Sequence, residues 1–176
     1  MSRPWTMHGP FEVDKRSDLP WKRLLRDATA MHRGLSDAAG VYVIATTCRG
    51  KTRLRYVGMT HAQGFEAEIF SQRNMTLIWN RISGERNSKI CIWLVAKKTA
   101  SRRGYSWESR MENESYLLET LFIMHAKAAG HTLINRAKMK SAEGIAVEGL
   151  FGKRARGRPS KGLTEIAQLL ALTVAA

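Results

Sequence analysis

Two β-rich runs, residues 41–48 (VYVIATTC) and 54–59 (LRYVGM), stand either side of the basic stretch RGKTR at 49–53. Both are rich in the β-branched and aromatic residues that suit a pleated surface, and Gly50 can take the positive φ of a tight turn. An antiparallel hairpin is the expectation. The side-chain period of two puts Tyr42 on a face with Ile44, and Tyr56 on a face with Leu54 and Gly58, so pairing in register lets both phenols line one wall. Gly58, lacking a Cβ, would allow a ligand close to the backbone there. Tyrosine is also an ordinary strand residue whose hydroxyl reaches the surface.

Around the hairpin the pattern predicts α+β architecture. Residues 1–17 read as polar and irregular, and 17–35 as a helix with Asp18 as its cap, Pro20 in its first turn and Gly34 at its close. Residues 64–83 read as a helix with Phe65, Ile69, Phe70 and Leu77 in one sector. Arg73 projects from that same sector, unless the helix breaks near Asn74. The continuous apolar run at 89–98 predicts a central strand, the third in the chain. The loop TASRRGYSWESR follows, with Tyr105 and Trp107 among arginines, a composition that can meet phosphates and stack on bases or fold its aromatics inward. Residues 111–130 are a helix by propensity, with Gly130 as its C-cap. The expected organisation is a helical arm at 1–37, a core at 38–140 holding a small three-stranded antiparallel sheet flanked by helices, and a basic tail and terminal helix at 141–176.

Charge narrows the class. Twenty-nine Lys and Arg against 15 Asp and Glu give +14, a surplus that favours a polyanionic partner through counterion release. Cys48 and Cys91 have no Cys-x-x-Cys spacing, and the five histidines form no ligand cluster, so neither a zinc site nor a disulfide framework is indicated. With no apolar leader and no run of about 20 apolar residues, a cytoplasmic protein without a membrane partner is expected.

Within the helix at 111–130, Glu119 is surrounded by Tyr116, Leu117, Leu118, Leu121, Phe122, Ile123 and Met124. A carboxylate so placed takes a cation, a metal or a proton; an ion pair with Arg or Lys and a Mg²⁺ site are both open readings. Phosphodiester hydrolysis needs a base for the attacking water and cations on the phosphoryl oxygens. A phenol can serve as that base where neighbouring positive charge lowers its pKa.

Gly40-Val41-Tyr42, then Tyr56-Val57-Gly58 after 13 intervening residues, a helix, a third strand, a helix carrying Glu119 and the tripeptide Leu133-Ile134-Asn135 together resemble the GIY-YIG nuclease superfamily. The likeness spans about residues 38–138, and the YVGMT, GF and GRPSKG segments resemble a stand-alone bacterial-type branch. It implies one-metal cleavage of DNA with Mg²⁺ or Mn²⁺ held by Glu119, Tyr42 as general base, Tyr56 as a second phenol and Asn135 in support. The family commonly has an arginine early on the first core helix, where this chain has Glu66; Arg73, 17 residues after Tyr56, is the candidate phosphate ligand.

Residues 153–162, KRARGRPSKG, resemble the Arg-Gly-Arg-Pro core of an AT-hook, and equally read as a basic linker that meets phosphates without sequence preference. DNA contacts are expected from Arg53, Arg55, His61, Arg102, Arg103, Arg154, Arg156 and Arg158. The terminal helix, 163–174, is apolar enough to dock on the core or on a second subunit, so a homodimer is one expectation. The sequence thus reads as a metal-dependent endonuclease acting on double-stranded or structured DNA. A noncatalytic DNA- or RNA-binding protein of the same fold is the alternative.

Overall fold

The computed structural model describes residues 5–13, 24, 26–28, 30, 32–84, 88–98, 104–105, 111–135 and 160–170. Strands β1 (Trp5–Val13), β2 (Gly40–Cys48), β3 (Lys51–Thr60) and β4 (Lys89–Lys97) form one antiparallel sheet in the order β1-β4-β2-β3. The sheet is therefore four-stranded, and the expectation of three strands after an irregular N-terminus is corrected. Segment 5–13 hides its alternation. Its pairing gains one extra residue between His8 and Phe11, at Gly9-Pro10, which turns the odd-numbered residues from one face to the other. Trp5 accordingly packs into one core and Phe11 and Val13 into the opposite one. Proline, with no N–H to donate, is tolerated because β1 is an edge strand.

The two inner strands are apolar on both faces because both faces are covered. Val41, Val43 and Ala45 of β2 and Cys91, Trp93 and Val95 of β4 face one helical layer. That layer is α4 (Met111–Ala128), through Leu118, Phe122 and Ala126, and α5 (Lys161–Leu169), through Leu163, Ile166 and Ala167. Tyr42, Ile44, Ile90, Ile92, Leu94 and Ala96 face the other layer. This contains Leu24, Ala28 and a broken helical run: α1 (Phe65–Ile69), α2 (Gln72–Asn74), a π-helical turn (Met75–Trp79) and α3 (Asn80–Ser83). Complete burial of an aliphatic or aromatic side chain of this size is worth about 1.5–3 kcal/mol, so the double-sided sheet is the main source of stability.

The hairpin between β2 and β3 forms as expected, with Cys48 opposite Lys51 and positive φ at both Arg49 (49°) and Gly50 (75°), the pattern of a type I′ turn. Residues 24, 26–28 and 30 are helical and Gly34 has φ 78°, consistent with the helix expected there; its start lies outside the described residues. The helix expected over 64–83 does break, at Phe70 and Ser71, earlier than Asn74. Helix α5 docks on the chain's own sheet through buried Leu163, Ile166, Ala167 and Leu170, while residues 171–176 lie outside the described set. Cys48 and Cys91 are free thiols. Among the described residues no helix is long and apolar enough to cross a membrane.

Candidate active site

β3 is the second edge strand, and it too carries a one-residue irregularity. Ile44 pairs with Tyr56 and Ala45 with Leu54, so Arg55 is the extra residue. The expected sharing of a face by Tyr56 and Leu54 is thereby corrected: Leu54 packs into the core under α4, while Tyr56 packs with Tyr42 on the opposite face. Such a bulge bends an edge strand and re-aims its side chains.

Tyr42 is completely buried, directly opposite Gly58. A Cβ on Gly58 would lie 2.3 Å from Cζ and 2.4 Å from Oη of Tyr42. The space expected for a ligand at Gly58 is occupied by the Tyr42 ring itself. Ring centroids of Tyr42 and Tyr56 are 5.9 Å apart, and Asn74 Nδ2 donates to Tyr42 Oη at 3.1 Å. The same Asn74 amide donates to the Glu68 carbonyl at 2.7 Å and to Glu68 Oε1 at 3.1 Å, and Gln63 Nε2 donates to Glu68 Oε2.

A cavity of ≈ 340 Å³ opens beside this network. Tyr56, Glu68, Arg73, Asn74, Glu119 and Thr120 line it, with Tyr116 and Ile123 alongside Glu119 on the same helix. Three of the residues singled out from the sequence, Tyr56, Arg73 and Glu119, thus come from β3, α2 and α4 to one concave surface. Glu119 is half-buried on the cavity wall, rather than enclosed by its apolar neighbours as expected, because Leu118, Phe122 and Ile123 take the core side of α4. Tyr42 does not line the cavity; it stands behind Tyr56, so the two phenols do not share the wall. Asn135 is outside it as well. Its side chain brackets Val57, accepting from the backbone N–H at 2.9 Å and donating to the carbonyl, while Ile134 N–H donates to the Arg55 carbonyl at 2.8 Å. Asn135 therefore holds the bulged strand that carries Tyr56.

No family model, curated protein or solved structure matches this chain.

The electrostatics separate the two phenols. Burial pushes Tyr42 well above the ordinary tyrosine value, and Tyr56, Glu68 and Glu119 add to the shift. The protein groups around Tyr42 are desolvating and anionic, which disfavours the phenolate. Burial, Glu119 and Glu68 also raise Tyr56, while the neighbouring Tyr42 hydroxyl and the charge of Arg73 offset part of the shift. The Asn74 amide donates to the Tyr42 oxygen, and the Tyr42 ring packs beside that of Tyr56. Both phenols are thus shifted away from the phenolate, and Tyr56, less buried and near Arg73, is the less strongly shifted of the two.

Glu68 and Glu119 give the cavity two carboxylates, and none of its lining residues is a cysteine or histidine. A hard divalent ion that takes one or two carboxylates and completes its sphere with water and phosphate oxygens fits that donor set. Among the described residues no group of three or more His, Cys, Asp or Glu could hold a metal by itself. Glu68 and Asn74 were not singled out from the sequence. Both depend on the break at Phe70–Ser71 and the π turn that follows, which a 3.6-residue period does not express.

Of the expected DNA-contacting residues, Arg53 and Arg55 line a second cavity of ≈ 550 Å³ with Lys51 and His131. His61, just beyond β3, lines neither cavity. Arg102, Arg103, Arg154, Arg156 and Arg158 lie outside the described residues. Tyr105, whose loop read either as base-stacking or as folding its aromatics inward, takes the second arrangement, its hydroxyl meeting His8.

Proposed function

We propose that the chain is a metal-dependent endonuclease of GIY-YIG type, acting on DNA at the cavity formed by Tyr56, Glu68, Arg73 and Glu119. The observation that carries this reading is the convergence of a phenol, a guanidinium and two carboxylates from four separate elements on one concave surface. Those groups meet the requirements of phosphodiester hydrolysis: a proton acceptor, a cation for a non-bridging oxygen, and oxygen donors for a metal.

In this account Glu119 and Glu68 hold Mg²⁺ or Mn²⁺, which when bound supplies positive charge to the phosphoryl oxygens and to the water that attacks. Arg73, exposed at the rim, binds the phosphate and orients it toward Tyr56. Tyr56 accepts the proton of the attacking water, and the Tyr42 hydroxyl stabilises the resulting charge by its hydrogen bond. Tyr42 is then a positioning residue, and the general-base role implied for it by the family resemblance passes to Tyr56. Asn74 holds Tyr42 and Glu68 at once, and Asn135 fixes the strand beneath Tyr56. The basic cavity at Lys51, Arg53 and Arg55 continues along the same strand and binds the flanking phosphates. A DNA-binding protein without turnover is the second reading, and one observation favours it: burial raises both phenols above the ordinary tyrosine value, further from the phenolate at neutral pH.

Supercoiled plasmid separates the two. The nuclease reading expects nicking by the wild type with Mg²⁺, none with EDTA, and a loss of at least about 100-fold for Glu119→Gln at unchanged DNA affinity. Gel shifts without metal-dependent nicking would establish the binding reading instead.

A further inference from the structure

The hairpin cavities leave one basic cluster unexplained, at the other edge of the sheet. A cavity of ≈ 490 Å³ lies between β1, the end of β4 and the start of α5. Arg33, Lys98 and Lys161 supply three cations, and His8, His32 and Tyr105 supply two imidazoles and a phenol. No acidic residue is among the described residues lining it; Lys161 at its mouth pairs with Glu165 at 3.7 Å, a contact worth little in water.

This concavity is built from packed groups. His8, buried in β1, has its Nε2 3.0 Å from the Thr6 hydroxyl and 3.1 Å from Tyr105 Oη. The His32 ring meets His8 edge-on at 4.5 Å between centroids, and Tyr105 meets His8 at 5.3 Å. Opposite them, Gly162 sits against the Gly9 carbonyl so closely that a Cβ would lie 2.0 Å from it, which brings the first turn of α5 onto the β1 bulge. Side-chain aromatics and one helix end thus fix the walls, and the cations stand around the opening. The cluster senses its own positive charge: burial, then His32 and Lys98, bring the His8 pKa down to about 3, and burial and Lys98 lower His32. An anion would relieve that repulsion. In the sequence, Arg102 and Arg103 directly precede Gly104 of this cavity, and the basic run 153–159 directly precedes its Ser160.

We propose that this cavity is a phosphate-binding subsite, separate from the Tyr56–Glu119 cavity, which takes a phosphoryl oxyanion of a nucleic acid. Arg33, Lys98 and Lys161 neutralise the anion, and the walls limit its access to one group at a time. The site stands whether or not the Tyr56 cavity cleaves DNA.

The test follows the ring resonances of His8 and His32 by NMR in the Glu119→Gln protein, which keeps any oligonucleotide intact. Inorganic phosphate, added at constant ionic strength against chloride, should give saturable shifts at both rings. Lys98→Gln and, independently, the exposed-site variant Arg33→Gln should each weaken binding at least about tenfold, with the remaining amide spectrum unchanged. Short oligonucleotides with and without a 5′-phosphate then name the source. Shifts with both identify a backbone phosphodiester, and shifts with the phosphorylated one alone identify a terminal phosphate. If inorganic phosphate shifts the rings no more than chloride does, or if both variants bind like the parent, the subsite does not exist. If phosphate binds while neither oligonucleotide does, the assignment to nucleic acid is overturned.

Discussion

Gly58 and Tyr42 face one another across the hairpin with no room for another carbon, so the glycine is there for the tyrosine. Gly58→Ala forces the Tyr42 ring away from Tyr56 and Asn74, and overpacking of this kind costs about 1–3 kcal/mol. A fall of that size in urea-unfolding free energy, with loss of the tyrosine contact in NMR, is the expected outcome; an alanine variant as stable as the parent would contradict the packing. His8 makes a separate prediction. Its pKa is about 3 in the fold against 6.5 in the unfolded chain, so the unfolded state binds more protons throughout that interval. The stabilisation is present above pH 6.5 and is lost as pH falls toward 3, at about 1.4 kcal/mol per pH unit for a single group. Between pH 6.5 and 5 the wild type should lose roughly 2 kcal/mol more than His8→Gln, measured by urea unfolding at both pH values.

The elements that matter most for the site are the two edge strands, and each is bulged. In β1 the extra residue at Gly9-Pro10 flips the face; in β3 the extra residue at Arg55 sends Leu54 and Tyr56 to opposite cores. Asn135 secures the second bulge through both backbone groups of Val57. Asn135→Ala leaves those groups to water and should cost about 1–3 kcal/mol. Amide exchange at Val57 should accelerate while the β2–β4 amides keep their protection; uniform acceleration would mean that Asn135 supports the whole sheet instead. Bulges also explain what the sequence did and did not disclose. Strands β2 and β4, regular and covered on both faces, were legible from their apolar runs, and so was the Arg49-Gly50 turn. Strand β1 was not, because its alternation is broken in the middle by a residue pair that usually ends strands. A break was open in the sequence near Asn74, but its position after Ile69 was hidden, and with it the placement of Glu68 and Asn74.

At the scale of the molecule, a sheet covered on both faces leaves its edges for chemistry. The β3 edge holds the Tyr56–Glu119 cavity and the basic cavity of Arg53 and Arg55, while the β1 edge holds the cluster around His8. With a chain charge of +14, such an arrangement suits a polyanion that meets the molecule at several places. The sequence named Tyr42, Tyr56, Arg73, Glu119 and Asn135 together; Tyr56, Arg73 and Glu119 line one cavity, and Tyr42 and Asn135 lie outside it. That Tyr56 rather than Tyr42 lines the cavity was not legible, since it depends on the Arg55 bulge. The central claim is that Tyr56, and not Tyr42, meets the scissile phosphate. It is tested most directly by single-turnover nicking of supercoiled plasmid with saturating Mg²⁺, comparing Tyr56→Phe and Tyr42→Phe proteins of verified fold. The account predicts a loss of about 100-fold or more for Tyr56→Phe and a smaller one for Tyr42→Phe, and Tyr56→Phe cutting at the wild-type rate would contradict it.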